Sequence, residues 1–229
     1  MKKLNSILKS KRIRSKSVQS ISNYLYIFFK SFFDKLFSLV FLVIGFPLIL
    51  IIALLIKLSS RGNVFFSQER IGKNNKPFKC LKFRTMHPEA KDILKNILAN
   101  NNLLKKEFEE NHKLKNDPRI TNIGKFLRKT SLDELPQFIN VIKGEMSIVG
   151  PRPIVFAEKV KYGKNLKKVL SVNPGITGLW QVSGRNNLTY KKRIDLDLIY
   201  VKNSNFIMDF RILIRTFGVI FFPSDKGSY

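Results

Sequence analysis

The sequence contains one cysteine, Cys80, and two histidines, His87 and His112. A single cysteine excludes an intramolecular disulfide framework and a cysteine-based zinc site, and it is typical of a reducing compartment. We expect Cys80 to pack as a small apolar residue and the histidines to lie at the surface. No Ser–His–Asp or Cys–His arrangement, P-loop lysine or strand-linked GxGxxG motif is evident, so the common nucleotide-binding and triad signatures are absent.

Acidic side chains are also scarce. Lys and Arg number 42 against 16 Asp and Glu, a formal net charge of +26. A surface with this field attracts polyanions, which include nucleic acid, anionic lipid head groups and a pyrophosphate substrate. Charge alone does not choose among these partners.

What the chain does contain is one long apolar run. At 229 residues it has room for one domain plus a membrane element. Leu36 to Ile56 carries no charge and is long enough to cross a hydrocarbon core of about 30 Å. Pro47, beside Gly45, predicts a kink near its middle. Basic residues flank both ends, so the positive-inside rule gives no orientation, and both a kinked single span and a re-entrant helix that returns to the same face remain open.

The remaining pattern predicts an α/β protein that is mostly helical with short strands. We expect strands near residues 64–66 and 78–83, a helical stretch over 88–114 interrupted at 100–102, and an amphipathic helix over 205–222 that packs on a core or lies in a membrane interface. Trp180 is expected in the core. The predicted organisation is a basic N-terminal tail (1–31), a broken membrane helix (32–58) and one larger domain (59–229).

The most specific segment runs from Asn116 to Pro153 and contains NDPRIT, SLDELPQ and GPRP. Ser131 to Glu134 has the spacing of a helix capping box, which predicts that Asp133 and Glu134 complement the positive end of a helix. The same placement, where backbone dipoles hold a carboxylate ionised, suits a nucleophile at a phosphate site.

Together with KFRTM at 82–86 and PGITGLWQVSGR at 174–185, this segment closely resembles the bacterial sugar transferase family, over residues 32–222. Its members are monotopic phosphoglycosyl transferases, which load a sugar phosphate onto a polyprenyl phosphate. The resemblance implies a re-entrant membrane helix broken at Pro47, and a catalytic domain with interfacial helices on the cytoplasmic face of the bacterial inner membrane. It also implies a UDP-sugar donor, an undecaprenyl phosphate acceptor, membrane lipid as a partner and Mg²⁺ as cofactor, in the first step of a surface polysaccharide or glycoconjugate pathway.

The resemblance also implies roles for individual residues. Asp133 would be the nucleophile that carries the phosphosugar, and Glu134 would join it in catalysis and bind Mg²⁺. Gln137, Asn140 and Asp117 would orient the site or the metal. The predicted phosphate-binding residues are Arg128, Arg152, Lys82, Arg84, Arg119 and Arg185.

Two alternatives compete with this interpretation. The first is a non-catalytic, membrane-tethered basic module that binds nucleic acid or anionic lipid. This module would explain the positive charge but not the SLDELPQ and GPRP motifs. The sequence also lacks RNA-type aromatic strand motifs and a helix-turn-helix signature. Nucleic acid is therefore not a predicted partner. The second is direct transfer without a covalent intermediate, as in multi-span transferases, whereas this chain has one convincing membrane segment.

Overall fold

The computed structural model describes residues 25–111 and 114–221, so residues 1–24 of the predicted tail and His112 lie outside the described residues. The helices are α1 (Leu25–Ile44), α2 (Phe46–Ser59), α3 (Ala90–Asn100), α4 (Asn102–Asn111), α5 (Asn122–Thr130), α6 (Gln137–Ile142), α7 (Lys159–Tyr162), α8 (Leu166–Val169), α9 (Tyr190–Asn203) and α10 (Phe206–Phe221). The strands are β1 (Phe65–Ile71), β2 (Pro77–Phe83), β3 (Ser147–Val149) and β4 (Gly175–Thr177). The prediction of a mostly helical chain with short strands is confirmed, as is the helix break at Asn101.

Helices α1 and α2 form a broken pair, bent by 64° at Gly45. A Cβ atom at Gly45 would lie 2.8 Å from the carbonyl oxygen of Phe41, and Pro47 occupies the first turn of α2, where its missing N–H costs least. The predicted kink is therefore confirmed. Among the described residues no single helix has the length and apolar composition of a membrane span, but the bent pair satisfies both together. The predicted boundary at residue 31 falls inside α1.

The broken pair leaves most of its apolar side chains uncovered. Only Ile52 and Ile56 are buried apolar residues on α2. Side chains on α10 and the β1 edge are also exposed. The large apolar side chains with about half or more of their surface exposed on these elements include Phe28, Phe32, Phe33, Val43, Ile44, Phe46, Ile51, Leu54, Leu58, Phe66, Ile207, Phe210 and Phe217. Many exposed apolar side chains on adjoining elements are typical of a surface that binds a membrane or another protein.

Two small sheets organise the rest of the chain. Strands β1 and β2 pair antiparallel, with Phe66 opposite Lys82 and Arg70 opposite Phe78. Because side chains alternate along a strand, Arg70, Cys80 and Lys82 all lie on one face of this hairpin. Strands β3 and β4 pair parallel, through a crossover that includes α7 and α8.

The hydrophobic core is shared between the helical pair and the rest of the chain. Phe41 and Leu42 of α1 pack against a cluster built on Phe138 of α6, and Phe41 stacks on Phe138 at 4.3 Å between ring centroids. On α2, Ile56 packs with Leu127 of α5 in a second cluster. Cys80 and Trp180 are buried, as predicted from the sequence.

A buried polar network also connects α1 to the rest of the chain. The ammonium group of Lys30 lies 2.7 Å from Asp209 of α10, and the hydroxyl of Tyr200 on α9 donates to the same carboxylate at 2.8 Å. One turn along α1, Asp34 accepts a hydrogen bond from Ser147 of β3 at 2.5 Å. Helix α1 is therefore linked by charged side chains to two elements, α10 and β3, and α9 joins the network through Asp209.

Candidate active site

Helix α6 and strand β2 are joined by one buried side chain, Asn140. Its carboxamide accepts from the N–H of Leu81 at 3.0 Å and donates to the C=O of Lys79 at 2.8 Å. The side chain thereby forms hydrogen bonds with the β2 backbone that a neighbouring strand would otherwise form. This contact sets the segment that precedes α6, a 3-10 turn over Leu132–Glu134, against the face of β2 that carries Lys82.

Lys82 contacts both carboxylates of that turn. Its ammonium nitrogen lies 2.7 Å from Glu134 Oε1 and 3.3 Å from Asp133 Oδ2. Asp133 is 7% exposed, so the interaction lies largely out of water. The sequence analysis assigned Lys82 to phosphate binding and predicted no contact with the carboxylates, whereas the structure shows it in direct contact with both.

The predicted capping box is wrong. Ser131 adopts the left-handed conformation, with φ of 59°, as the C-cap of α5, and among the described contacts its side chain makes no capping hydrogen bond. An N-cap residue needs an extended backbone, whereas a residue that ends a helix often takes the left-handed region. Asp133 therefore lies in a tight turn between two helices, with Lys82 as its contacting cation.

The two carboxylates differ electrostatically. Burial raises the pKa of Asp133 above its ordinary value, and the neighbouring charge of Glu134 adds to this, while Lys82 and Arg128 oppose it. Burial acts in the same direction on Glu134, but Lys82 and Arg152 outweigh it and lower the pKa of that group. Glu134 lies closer to the lysine, so it ionises first. The sequence led us to expect that backbone dipoles hold Asp133 ionised; instead, its charge depends on Lys82.

Arg152, in the GPRP loop, lies near the carboxylate pair of Asp133 and Glu134. One guanidinium nitrogen lies 4.0 Å from Glu134 Oε1, and the side chain is 37% exposed. The loop is held against β4, since the N–H of Gly175 donates to the C=O of Pro151 at 2.8 Å. A Cβ atom at Gly150 would lie 2.6 Å from the carbonyl oxygen of Asn173, so this close approach requires glycine.

Arg70 is a site residue that the sequence analysis missed. Its guanidinium donates to the C=O of Pro153 at 3.1 Å and to Gln68 at 2.7 Å. The hairpin register is the signal that could have found it, because Arg70 lies on the same face as Lys82. The cleft that results is lined by Arg70, Cys80, Lys82, Glu134, Gln137, Arg152, Pro153, Gly175 and Ile176.

Two further predicted arginines lie close enough to act on the carboxylates. Arg128 donates through Nε to the hydroxyl of Thr85 at 3.0 Å, and its charge lowers the pKa of Asp133. Thr85 belongs to KFRTM, so this motif positions Arg128 as well as supplying Lys82. Burial lowers the pKa of Arg185, and the charge of Glu134 opposes that shift.

The last two predicted phosphate ligands are engaged elsewhere. The guanidinium of Arg84 donates to the carbonyls of Ser60 at 2.7 Å and Arg61 at 2.9 Å, at the end of α2. Arg119 forms a bidentate pair with Asp117, at 2.6 and 2.8 Å. Burial opposes ionisation of Asp117, but the hydrogen bonds from Arg119 lower its pKa. Either arginine would have to give up these contacts to bind a phosphate.

The acidic side chains of the site can be compared with the ligands that Mg²⁺ prefers. Within residues 25–111 and 114–221, no group of three or more His, Cys, Asp or Glu side chains is placed to hold a metal ion. Mg²⁺ is usually bound through one or two carboxylates together with substrate phosphates and water. Asp133 and Glu134 supply two adjacent carboxylates, so the residues fit a Mg²⁺ ion that is completed by a diphosphate. Lys82 already lies 2.7 Å from Glu134, so it would share that carboxylate with the metal.

Cations outnumber carboxylates around the cleft. Arg70, Arg152 and Lys82 line it, whereas Glu134 is its only acidic lining residue among those described. Such an excess stabilises the spread negative charge of a phosphoryl-transfer transition state. The arrangement can therefore bind a diphosphate close to the two adjacent carboxylates.

Comparison with known proteins is consistent with this chemistry. Residues 25–223 match the model of the bacterial sugar transferase family. The chain is 44% identical over 193 residues to the UDP-galactose-lipid carrier transferase of Erwinia amylovora, which covers 84% of this chain and 40% of that protein. It is 46% identical over 194 residues to the undecaprenyl-phosphate galactose phosphotransferase of Salmonella typhimurium, with 84% and 40% covered.

A third relative is matched over most of its length. The chain is 44% identical over 200 residues to the exopolysaccharide production protein ExoY of Rhizobium meliloti, covering 87% of this chain and 88% of that protein. The chain thus spans about two fifths of the two longer relatives and nearly all of the third. Since the family model matches most of the described residues, including the SLDELPQ turn and the GPRP loop, the chain belongs to the bacterial sugar transferase family.

Proposed function

We propose that this protein transfers a sugar 1-phosphate from a UDP-sugar to undecaprenyl phosphate, through a covalent phosphosugar intermediate on Asp133. The observation that carries the proposal is the contact of one lysine, Lys82, with both Asp133 and Glu134 in a cleft that Arg70 and Arg152 also line. The relatives named for undecaprenyl-phosphate and UDP-galactose transfer support the substrate classes. Exopolysaccharide production, named for ExoY, supports a role at the start of such a pathway.

Two displacements account for the reaction. In the first, an Asp133 carboxylate oxygen forms a bond to the β-phosphorus, the bond from that phosphorus to the bridging oxygen breaks, and UMP leaves with the electron pair. In the second, an oxygen of undecaprenyl phosphate bonds to the same phosphorus and the aspartyl oxygen leaves as a carboxylate. The product is a polyprenyl diphosphate sugar. Neither step requires an acid or a base, so catalysis depends mainly on surrounding cations that stabilise the negative charge of the transition states.

Each side chain has one task in this scheme. Lys82 keeps Asp133 ionised and hence nucleophilic, while Arg152, Arg70 and Arg128 bind and orient the phosphates. Glu134, with its lowered pKa, is the residue that would hold Mg²⁺. When bound, Mg²⁺ neutralises charge on the diphosphate oxygens.

We further propose that α1 and α2 form a re-entrant membrane anchor on the cytoplasmic face of the inner membrane. The 64° bend and the exposed apolar side chains of both helices support it, and we expect the exposed apolar residues of α10 to lie in the interface. A lipid-linked acceptor meets a water-soluble donor only at such a surface, so this placement suits the reaction.

Cysteine labelling would test the anchor. In a Cys80→Ser background, Ser15→Cys before α1 and Asn63→Cys after α2 are both expected to react with a membrane-impermeant maleimide in inverted vesicles, and neither in right-side-out cells. The reason is that a re-entrant helix returns both ends to one face. A Leu replacement at Pro47 should weaken the break and serves as the comparison. Labelling of the two sites from opposite sides would establish a single span instead.

Intact-protein mass spectrometry would test the chemistry. After incubation with Mg²⁺ and a panel of UDP-sugars, without acceptor lipid, the protein is expected to gain the mass of one phosphosugar and to release UMP. Trypsin digestion should place the adduct on the peptide of residues 130–143, which contains Asp133. Product without any adduct would indicate direct transfer. Neither adduct nor product with any donor would favour the membrane-tethered basic module.

A further inference from the structure

Helix α6 carries two buried amide side chains, and they differ in their contacts. Asn140 is 0% exposed, and its carboxamide is bonded to the backbone of Leu81 and Lys79. Gln137, at the start of the same helix, is 3% exposed. In the described part of the chain no group forms a hydrogen bond with its carboxamide, and neither polar atom of that amide is fully buried. Both atoms therefore open into the cleft that Gln137 lines.

The backbone places Gln137 beside the carboxylate pair. The N–H of Leu135 donates to the C=O of Leu132, and the N–H of Phe138 donates to the C=O of Leu135, each at 3.2 Å. These bonds continue the 3-10 geometry of the preceding turn as far as α6. Side chains three residues apart eclipse in this geometry, so Gln137 lies on the same side as Glu134. The amide is therefore held next to the carboxylates at which the proposed transfer takes place.

An unpaired buried amide is costly for the fold, whereas an apolar side chain of the same shape would pack there without that cost. A ligand that pairs with the amide accounts for its presence. Arg70, Lys82 and Arg152 already supply cations for a diphosphate along this cleft. An ionised phosphate oxygen only accepts hydrogen bonds, so it would leave the amide oxygen unpaired. Adjacent hydroxyl groups of a sugar both donate and accept, so they can pair with Oε1 and Nε2 together.

We propose that Gln137 binds adjacent hydroxyl groups of the donor sugar and thereby helps to determine which sugar the protein accepts. One hydroxyl donates to Oε1, and its neighbour accepts from Nε2. The inference rests on the proposed function, because its ligand is the sugar of the UDP-sugar donor. Gln137 takes no part in the two displacements. It discriminates between sugars because a site that pairs with a hydroxyl rejects an analogue that lacks it.

Thermal unfolding tests whether the amide serves the fold. Gln137→Met removes the amide and keeps the length of the side chain. Since no protein group loses a partner, its unfolding midpoint should equal or exceed that of the parent protein. Gln181→Met makes the same exchange at an amide that donates to the C=O of Ile176 at 3.0 Å, so it should lower the midpoint. A comparable fall in Gln137→Met would overturn the proposal.

Binding calorimetry separates the sugar from the diphosphate. Dissociation constants for UDP, and for the UDP-sugar that forms the adduct, are measured with Mg²⁺ and without acceptor lipid in an Asp133→Asn background, which blocks turnover. Gln137→Met is expected to weaken binding of the UDP-sugar about tenfold, the effect of two neutral hydrogen bonds, and to leave binding of UDP unchanged. An equal loss for both ligands would assign Gln137 to the diphosphate or its Mg²⁺ and overturn the proposal, as would no loss for either.

Monodeoxy analogues of the same UDP-sugar identify the hydroxyl groups. Two analogues that lack neighbouring hydroxyls should bind more weakly than the full donor when Gln137 is present. Gln137→Met should bind those analogues and the full donor equally, because two changes at one contact are not additive. Analogues that lose the same affinity with and without the amide would contradict the contact. If no UDP-sugar forms an adduct or binds, it is the proposed function that fails, so the two failures are distinct.

Discussion

Asp133→Asn is expected to lower the rate of sugar-phosphate transfer by a factor on the order of 10⁴, the scale seen when a nucleophile is removed. The amide fills the same volume, and Lys82 keeps its shorter contact with Glu134, 2.7 Å away, so the fold should be retained. What disappears is the oxygen that attacks phosphorus. UMP release without acceptor should vanish together with turnover, and both can be measured in one assay of nucleotide release.

The control for this variant is Asp195→Asn, because it makes the same Asp-to-Asn exchange at an exposed position of α9. Full activity there, with a thermal unfolding midpoint of Asp133→Asn close to that of the parent, would attribute the loss to chemistry. Substantial transfer by Asp133→Asn would contradict the covalent mechanism and favour direct attack of the acceptor on the bound donor.

Lys82→Met should have the second-largest effect, a loss of about 10²–10³ in turnover, as when one preorganised charge is removed from a transition state. Lys82 is the only group that contacts both carboxylates in the described part of the chain. Burial already raises the pKa of Asp133, and Lys82 is the largest influence that opposes it. Without the lysine the pKa rises further, more of the nucleophile is protonated, and the ascending limb of the pH–rate profile moves to higher pH.

Lys79→Met provides the matched control, because Lys79 lies on the same strand but its side chain is exposed. Its backbone carbonyl, which holds Asn140, is unchanged by the substitution. Lys79→Met should therefore keep the parental pH profile. An unshifted profile in Lys82→Met would show that Lys82 acts on the phosphates alone and not on the ionisation of Asp133.

Local patterns in the sequence predicted much of this architecture. Pro47 predicted the bend in the apolar run, and the Asn100–Asn102 triplet predicted the break between α3 and α4. Both features lie where the sequence predicts them, because each depends on residues close together in the chain. The carboxylate pair and the GPRP arginine were found in the same way, because their motifs are contiguous. The grouping of Asp133, Glu134, Lys82 and Arg152 in one site was expected from the family resemblance of their motifs, not from the local patterns themselves.

The remaining features depend on tertiary contacts that no local pattern records. Arg70 enters the site only because the hairpin register sets it on the same face as Lys82. Arg84 belongs to KFRTM, yet it binds the carbonyls at the end of α2, a partner distant in sequence. Ser131 fits a capping box by spacing alone, but the end of α5 requires a left-handed residue at that position. For the two arginines a long-range contact decided the outcome, whereas at Ser131 the end of one helix took precedence over the start of the next.

The polar network between α1 and the rest of the chain has a consequence for where this protein can work. Without α1, Asp209 would lose Lys30, and removing one partner of a buried ion pair costs about 3–5 kcal/mol. That is a large part of the 5–15 kcal/mol that keeps a typical domain folded. If α1 belongs to a membrane anchor, as we propose, a chain whose α1 is pulled away would lose part of this stability together with its anchor. Folding and location would then be coupled, and the folded form would be favoured at the membrane, where the proposed lipid acceptor lies.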